Sequence, residues 1–90
     1  MYTLLGNCSL GVDKSPLNEV FHKVQEVYQV SLEDIDVLIS IRRDIQNQVH
    51  CNFMIHKSSE QESIQIRDQI ISKIKEVFPQ ATLESERSYA

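Results

Sequence analysis

The chain has 90 residues, a formal net charge of −4 at pH 7, 41% hydrophobic residues and 24% charged residues. This length and composition predict one small globular domain, residues 1–90, and exclude a disordered tail. The acidic balance argues against nucleic-acid binding, which depends on clustered Lys and Arg, and is compatible with a divalent cation.

Two cysteines, Cys8 and Cys51, lie far apart in the sequence and form no C-x-x-C motif. We interpret both as reduced thiols, because a disulfide scaffold needs more cysteines. No apolar run approaches the roughly 20 residues of a membrane span. The first residues lack the basic and apolar regions of a secretory signal. We therefore expect a cytoplasmic protein with no direct membrane insertion.

Residues 1–14 mix apolar residues with glycine and polar residues. They could be an irregular lead-in or a short edge strand, and we interpret them as an irregular lead-in to a core over residues 15–88. Ser15 and Pro16 are typical of a helix start, as the N-cap and the first helical residue. Apolar residues then recur with helical spacing and predict a helix over 16–29. They are Leu17, Val20, Phe21, Val24, Val27 and Tyr28.

After a connector at 31–34, the apolar period changes to two, which predicts a strand, a polar turn at 44–48 and a second strand. A short link between two alternating runs indicates an antiparallel hairpin. The expected inward residues are Val37, Ile39 and Ile41, then Val49, Cys51, Phe53 and Ile55. The expected outward residues include Leu38, Arg42, His50, Met54 and His56.

Ser59 and Glu62 form a capping-box pattern that predicts the start of a second helix, which Pro79 ends. The buried stripe of this helix is expected to contain Ile64, Ile70, Ile71, Ile74, Val77 and Phe78. Residues 81–87 alternate again and predict a last strand, with Ala81, Leu83 and Ser85 on one face.

This order predicts an α+β, ferredoxin-like two-layer sandwich, αββαβ, in which two helices cover one face of a three-stranded sheet. The other face is then open to a partner. We expect Leu38, Arg42 and Met54 to form an interface on that open face.

The order of these signals resembles the cytosolic C-terminal domain of the cation diffusion facilitator family of metal transporters. The segments that carry the resemblance are Leu4-Leu5-Gly6, Ser15-Pro16-Leu17, the strand Asp36–Arg42, the strand Val49–Ile55 and Glu76-Val77-Phe78-Pro79. The resemblance implies an αββαβ homodimer that binds a divalent metal such as zinc and regulates the membrane part of a transporter.

Positions that often bear metal ligands in that family hold Asp36, Cys51 and Glu86 here. His50 and His56 project from the same face of one predicted strand and could join ligands from a neighbouring strand or a second subunit. The alternatives are two solvated surface histidines and a packed core Cys51, while Cys8 in the lead-in is expected to be an exposed thiol.

Two hypotheses about function follow. The first is a dimerising, metal-sensing regulatory domain of a cation diffusion facilitator type. The second is a stand-alone ferredoxin-like adaptor that binds a protein partner through its open sheet face. We expect no enzyme, because the sequence has no Gly-rich phosphate loop, no H-E-x-x-H and no local signature of a nucleophile.

Overall fold

The structure, a computed structural model, describes residues 1–13 and 16–89. Its elements run in the order β-α-α-β-β-α-β. They are β1 (Tyr2–Asp13), α1 (Leu17–Lys23), α2 (Gln25–Glu33), β2 (Val37–Arg43), β3 (Gln48–Lys57), α3 (Glu60–Val77) and β4 (Thr82–Tyr89). No helix in these two described ranges has the length and apolar character needed to cross a membrane.

The segment predicted as an irregular lead-in is a strand in the middle of the sheet, so that prediction is wrong. The strand order is β2-β3-β1-β4, which places β1 between β3 and β4. The inward positions of β1 are Leu4, Gly6, Cys8 and Leu10, and all four are buried. Gly6 weakens the apolar alternation of these positions in the sequence. The aromatic ring of Phe53 occupies the space that a side chain at Gly6 would need.

The predicted order αββαβ and the three-stranded sheet are therefore also wrong. All neighbouring strands are antiparallel, and the four strands form one sheet. β1 and β2 are joined through α1 and α2 and are separated by β3, while β3 and β4 are joined through α3 and separated by β1. These two interleaved β-α-β units make the ferredoxin-like β-α-β-β-α-β arrangement.

The helices pack on one face of the sheet, and no element within residues 1–13 and 16–89 covers the other face. The core cluster joins the inward residues of β1, β2 and β3 to side chains from all three helices. The helical members are Val20, Val27, Ile70 and Ile74, and Val24, between α1 and α2, joins them. This confirms the predicted inward set of β2 and β3, since Val37 and Ile41 are buried and Ile39 is partly buried against the same cluster.

The helix predicted over 16–29 is two helices that meet at Val24, whose backbone leaves the helical region. The second one continues to Glu33, beyond the predicted end. The Ser31 hydroxyl donates to the Val37 carbonyl oxygen at 3.0 Å, which attaches this last turn to β2. Ser15, predicted as the N-cap, lies outside the described residues, and Pro16 is the capping residue of α1.

The polar turn between β2 and β3 lies where the sequence predicts it. The Asp44 carboxylate accepts hydrogen bonds from the backbone N–H groups of Gln46 at 2.8 Å and Gln48 at 3.0 Å. Asn47 has φ of 67°, a left-handed conformation that asparagine tolerates better than most residues. The turn therefore fixes the register of the hairpin.

The predicted cap of α3 is confirmed, because the Glu62 N–H donates to the Ser59 hydroxyl at 3.2 Å. Val77, predicted in the buried stripe, is exposed, since Phe78 takes the buried position at the end of this helix. The alternation predicted for the last strand is also wrong. Asn7 pairs with Ser85 but Cys8 pairs with Leu83, so Glu84 is an extra residue in a bulge.

Candidate functional site

The candidate site is the open face of the sheet, which is the face opposite the helices. Directly paired residues of antiparallel strands share a face, so the register defines rows that cross all four strands. One row contains Leu38, Met54, Leu5 and Arg87 in neighbouring strands. Leu38 is 55% exposed and Met54 is 37% exposed. This row is an apolar band across β2, β3 and β1.

The next row is polar throughout. It contains Ser40, Asn52, Asn7 and Ser85, one residue from each strand. The Asn52 side-chain oxygen is inaccessible to water and accepts no hydrogen bond from any described residue. Native structures leave few such oxygens without a donor. The middle of this face therefore lacks a hydrogen-bond donor for Asn52.

His50 connects the hairpin turn to the central strand β1. Its Nε2 atom donates to the Asp44 carboxylate at 2.8 Å, and its Nδ1 atom lies 3.1 Å from the Asn7 side-chain oxygen. The hydrogen bond from His50 is the largest cause that lowers the pKa of Asp44, and the N–H groups of Gln48 and Gln46 add to it. With a side chain only 12% exposed, His50 holds the end of the open face in a fixed geometry.

The second histidine of β3 has a different partner. His56 Nδ1 lies 2.6 Å from the Thr3 hydroxyl, which is directly across from it on β1. His50 and His56 thus share the open face, as predicted, but each is held by its own neighbour on β1. The polar row and the apolar row separate the two histidines.

The charges on this face differ from those of the whole chain. Arg42 pairs with His50, and Arg87 ends the apolar row, so the face carries two arginines. Asp36 directly precedes β2, and Asp44 directly follows it. The open face therefore has cationic groups within its area and carboxylates at its rim, while the chain as a whole is acidic.

The structure does not bring the five predicted metal ligands together. His50 and His56 lie on the open face, whereas Cys51 is buried on the helix-facing side. Asp36 Oδ2 lies 3.6 Å from Lys57 Nζ at the start of β2. Glu86 accepts two hydrogen bonds from Arg67 of α3, at 2.8 and 3.1 Å. Residues 1–13 and 16–89 contain no group of three or more His, Cys, Asp or Glu that could hold a metal ion.

The three predicted interface residues Leu38, Arg42 and Met54 all lie on the open face. Leu38 and Met54 are direct partners, and Arg42 lies on the far side of the polar row, opposite His50. The prediction omitted Leu5 and Asn7, which lie at the centre of the face on β1. The alternation of Leu4, Gly6, Cys8 and Leu10 was the signal that could have found them, because the intervening residues then face outward together.

Cys8 is buried, so the prediction of an exposed thiol is wrong. It lies directly across from Cys51 on the neighbouring strand, and both are free thiols in the structure. Burial raises the pKa of Cys8 to about 11 and that of Cys51 to about 12. Cys51 is a core residue, in agreement with its inward position in the predicted strand.

No family model matches the chain, and neither does any curated protein. Among solved structures, the de novo designed protein Foldit4 is similar with a TM-score of 0.69 and 12% identity, over 99% of this chain and 96% of that one. The designed protein LFR1 1, described as having a ferredoxin fold, has a TM-score of 0.54 and 17% identity, over 99% and 83% of the two chains.

A third similar structure is a protein from Deinococcus radiodurans, described as an antibiotic biosynthesis monooxygenase. Its TM-score is 0.55 at 14% identity, over 100% of this chain and 91% of that one. At these identities the likeness concerns the fold and not the activity. The comparisons therefore show a chain with a ferredoxin fold.

Proposed function

We propose that this chain is a pairing domain whose open sheet face packs against the same face of a second copy. The observation that carries the proposal is the uncovered row of Leu38, Met54 and Leu5 across the middle of a sheet. A sheet with one apolar band and no layer on that side gains stability when a second layer covers it. Another sheet of the same shape is a suitable layer.

The chemistry of the face favours a second copy over an unrelated partner. In a two-fold pair, the same patch on both copies must be complementary to itself. The amides and hydroxyls of the polar row both donate and accept hydrogen bonds, so an identical row can pair with it. The same symmetry allows Arg42 of one copy to approach the rim carboxylates Asp36 and Asp44 of the other.

The unpaired Asn52 oxygen supports the same partner. Rotation of the terminal amide of Asn52 would turn this oxygen toward the open side of the sheet. Asn7 is its direct neighbour, and in a pair the Asn7 or Asn52 amide of the second copy can act as the missing donor. A wholly apolar partner would leave this oxygen unsatisfied, which costs free energy.

Charge substitution on the open face tests the proposal. We expect the wild-type chain to form a dimer in sedimentation equilibrium, with dissociation on dilution. Leu38→Glu should shift the distribution to the monomer, because it places a carboxylate in the apolar row. The matched control is Leu32→Glu, since Leu32 is also exposed, at 79%, but lies near the end of α2.

Circular dichroism should show folded chains for both variants. If Leu38→Glu dimerises as tightly as the wild type, the open face is not the interface. A wild-type chain that stays monomeric at all accessible concentrations would overturn the pairing and favour the alternative, an adaptor whose open face binds a different protein.

Metal sensing and regulation of a transporter of the cation diffusion facilitator type stay predictions from the resemblance. A thermal melt with and without zinc tests the metal part, because a ligand that binds only the folded state must raise the melting temperature. A rise that disappears in the double variant His50→Ala, His56→Ala would support a site that includes these histidines. No rise at saturating zinc would leave a pairing domain without this metal.

A further inference from the structure

The two cysteines form a buried pair at the centre of the sheet. They are 43 positions apart in the sequence, which is 51 minus 8, yet they are direct partners in the β1–β3 register. Cys8 is 2% exposed and Cys51 is 0% exposed, and both are free thiols. Both side chains lie on the helix-facing side, where Leu4, Leu10 and Ile55 belong to the same core cluster.

The register fixes the spacing of this pair. The His56 N–H donates to the Asp36 carbonyl oxygen, so the even-numbered residues of β3 direct their backbone groups toward β2. The odd-numbered residues, which include Cys51, therefore direct theirs toward β1. Cys8 and Cys51 thus form a hydrogen-bonded pair, whose Cα atoms are about 5.5 Å apart in antiparallel sheets.

This Cα separation lies within the usual range of disulfides, roughly 4.4–6.8 Å. The Cβ atoms of a hydrogen-bonded pair are about 5.5 Å apart, clearly farther than in most disulfides, where they are about 3.8 Å apart. A bond between the two sulfurs therefore requires the two strands to move closer locally, by roughly 1.5 Å, and strains the pair. A disulfide formed in this way is expected to be reduced readily.

We propose that Cys8 and Cys51 are a cross-strand dithiol that a low-molecular-weight disulfide converts to an intramolecular disulfide within the folded sheet. The Cys8 thiolate attacks one sulfur of the small disulfide, forms a mixed disulfide and releases one small thiolate. The Cys51 thiolate then attacks the Cys8 sulfur and releases the second one. The two cysteine protons pass to solvent or to the released thiolates, and the small disulfide gains the two electrons.

Both thiols lie one strand from an edge of the sheet, Cys8 beside β4 and Cys51 beside β2. Cys8 is the first to react in this scheme because β4 is the less buried of these two edge strands. All residues of β4 are exposed, whereas Cys8 itself is 2% exposed, so its reaction with the small disulfide follows a transient opening of this edge strand. Cys51 lies between β1 and β2 and is enclosed further. Because only the thiolate reacts, the rate should rise steeply with pH.

Oxidised glutathione is the probe for this proposal, applied to the native chain at pH 8 and pH 9. We expect the oxidised chain to lose two hydrogen atoms by mass spectrometry, with both cysteines protected from alkylation after denaturation. Oxidation should be faster at pH 9, and excess glutathione should reverse it. The circular dichroism spectrum and cooperative unfolding should be retained, because the bond joins neighbours in the native sheet.

Cys8→Ala and Cys51→Ala are the controls, and each should yield at most a mixed disulfide or a covalent dimer. Two results would overturn the proposal. One is a native chain that gives only mixed or intermolecular disulfides, while the same chain in urea closes the intramolecular bond. The other is an oxidised chain that has lost the sheet signal, because the bond would then trap an unfolded form.

Discussion

Gly6 lies on the central strand β1, directly across from Phe53 on β3, and the ring of Phe53 occupies the space above it. A methyl group at this position would overlap the ring, which is itself enclosed by the core. We expect Gly6→Ala to destabilise the fold by about 1–3 kcal/mol, the usual range for overpacking. Urea denaturation measures this difference.

Phe53→Leu provides the control for that prediction. The smaller side chain removes the ring that a methyl group at Gly6 would meet, so the double variant should lose less stability than the two single losses added together. If the two effects simply add, the ring and the glycine do not share the space that the structure gives them.

Asp34 binds Lys57 across the loop between α2 and β2, with Oδ2 2.5 Å from Nζ. The hydrogen bond from Lys57 is the largest cause that lowers the pKa of Asp34 below its usual value. The ionised carboxylate therefore stabilises the fold above the ordinary carboxyl pKa, and this contribution is lost as the pH falls through the lowered folded pKa. Asp34→Asn should lower the free energy of unfolding at pH 7 but change it little near pH 2.

Asp68→Asn is the matched control, because Asp68 contacts Arg67 on the exposed side of α3, where ion pairs contribute little. The free energy of unfolding of Asp68→Asn should match that of the wild type at both pH values. Equal losses for Asp34→Asn at pH 7 and pH 2 would mean that the charge of Asp34 is not the stabilising feature.

At the scale of elements, β1 distinguishes this fold from a helix-first αββαβ domain. As an inner strand, it should show amide hydrogen exchange as slow as β3 over Leu4–Ser9, while the edge strand β4 exchanges faster. Leu4→Ala should cost about 2–5 kcal/mol, because Leu4 is buried in the core. Leu5→Ala, on the open face, should cost the isolated chain clearly less. Rapid exchange throughout β1 would contradict its central position.

The sequence predicts α3, the β2–β3 hairpin and the last strand because each has a local signal. Ser59 and Glu62 cap a helix, and Asp44 and Asn47 suit a tight turn. The alternation in β1 is a weaker signal, since Gly6 and Cys8 hold two of its inward positions and apolar Leu5 lies between two of them. This segment is a strand because it pairs with both β3 and β4, and that pairing depends on the tertiary structure.

The bulge at Glu84 has the same origin. Nothing local marks it, but it reverses which side chains of β4 face the helices, and so brings Glu86 to Arg67. The candidate site was therefore predictable only in part. Leu38, Met54 and Arg42 follow from the alternation of two strands, whereas Leu5, Asn7 and the Cys8–Cys51 pair depend on the position of β1.

At the scale of the whole molecule, the chain has two layers, one of helices and one sheet, with the outer face of the sheet uncovered. A 90-residue domain is only marginally stable. If a second copy covers this face, the stability of the domain should increase with the concentration of the chain. The thermal midpoint should therefore rise as the chain concentration increases. A midpoint that is constant over a hundredfold range would indicate a monomer.

The most direct test is a dilution series followed by methyl NMR. If the open face pairs with its copy, the methyl signals of Leu5, Leu38 and Met54 should move together on dilution, with one dissociation constant, while those of Leu32 and Ile35 stay constant. If instead the signals of Leu32 and Ile35 move and the three open-face methyls do not, the uncovered face is not the pairing surface.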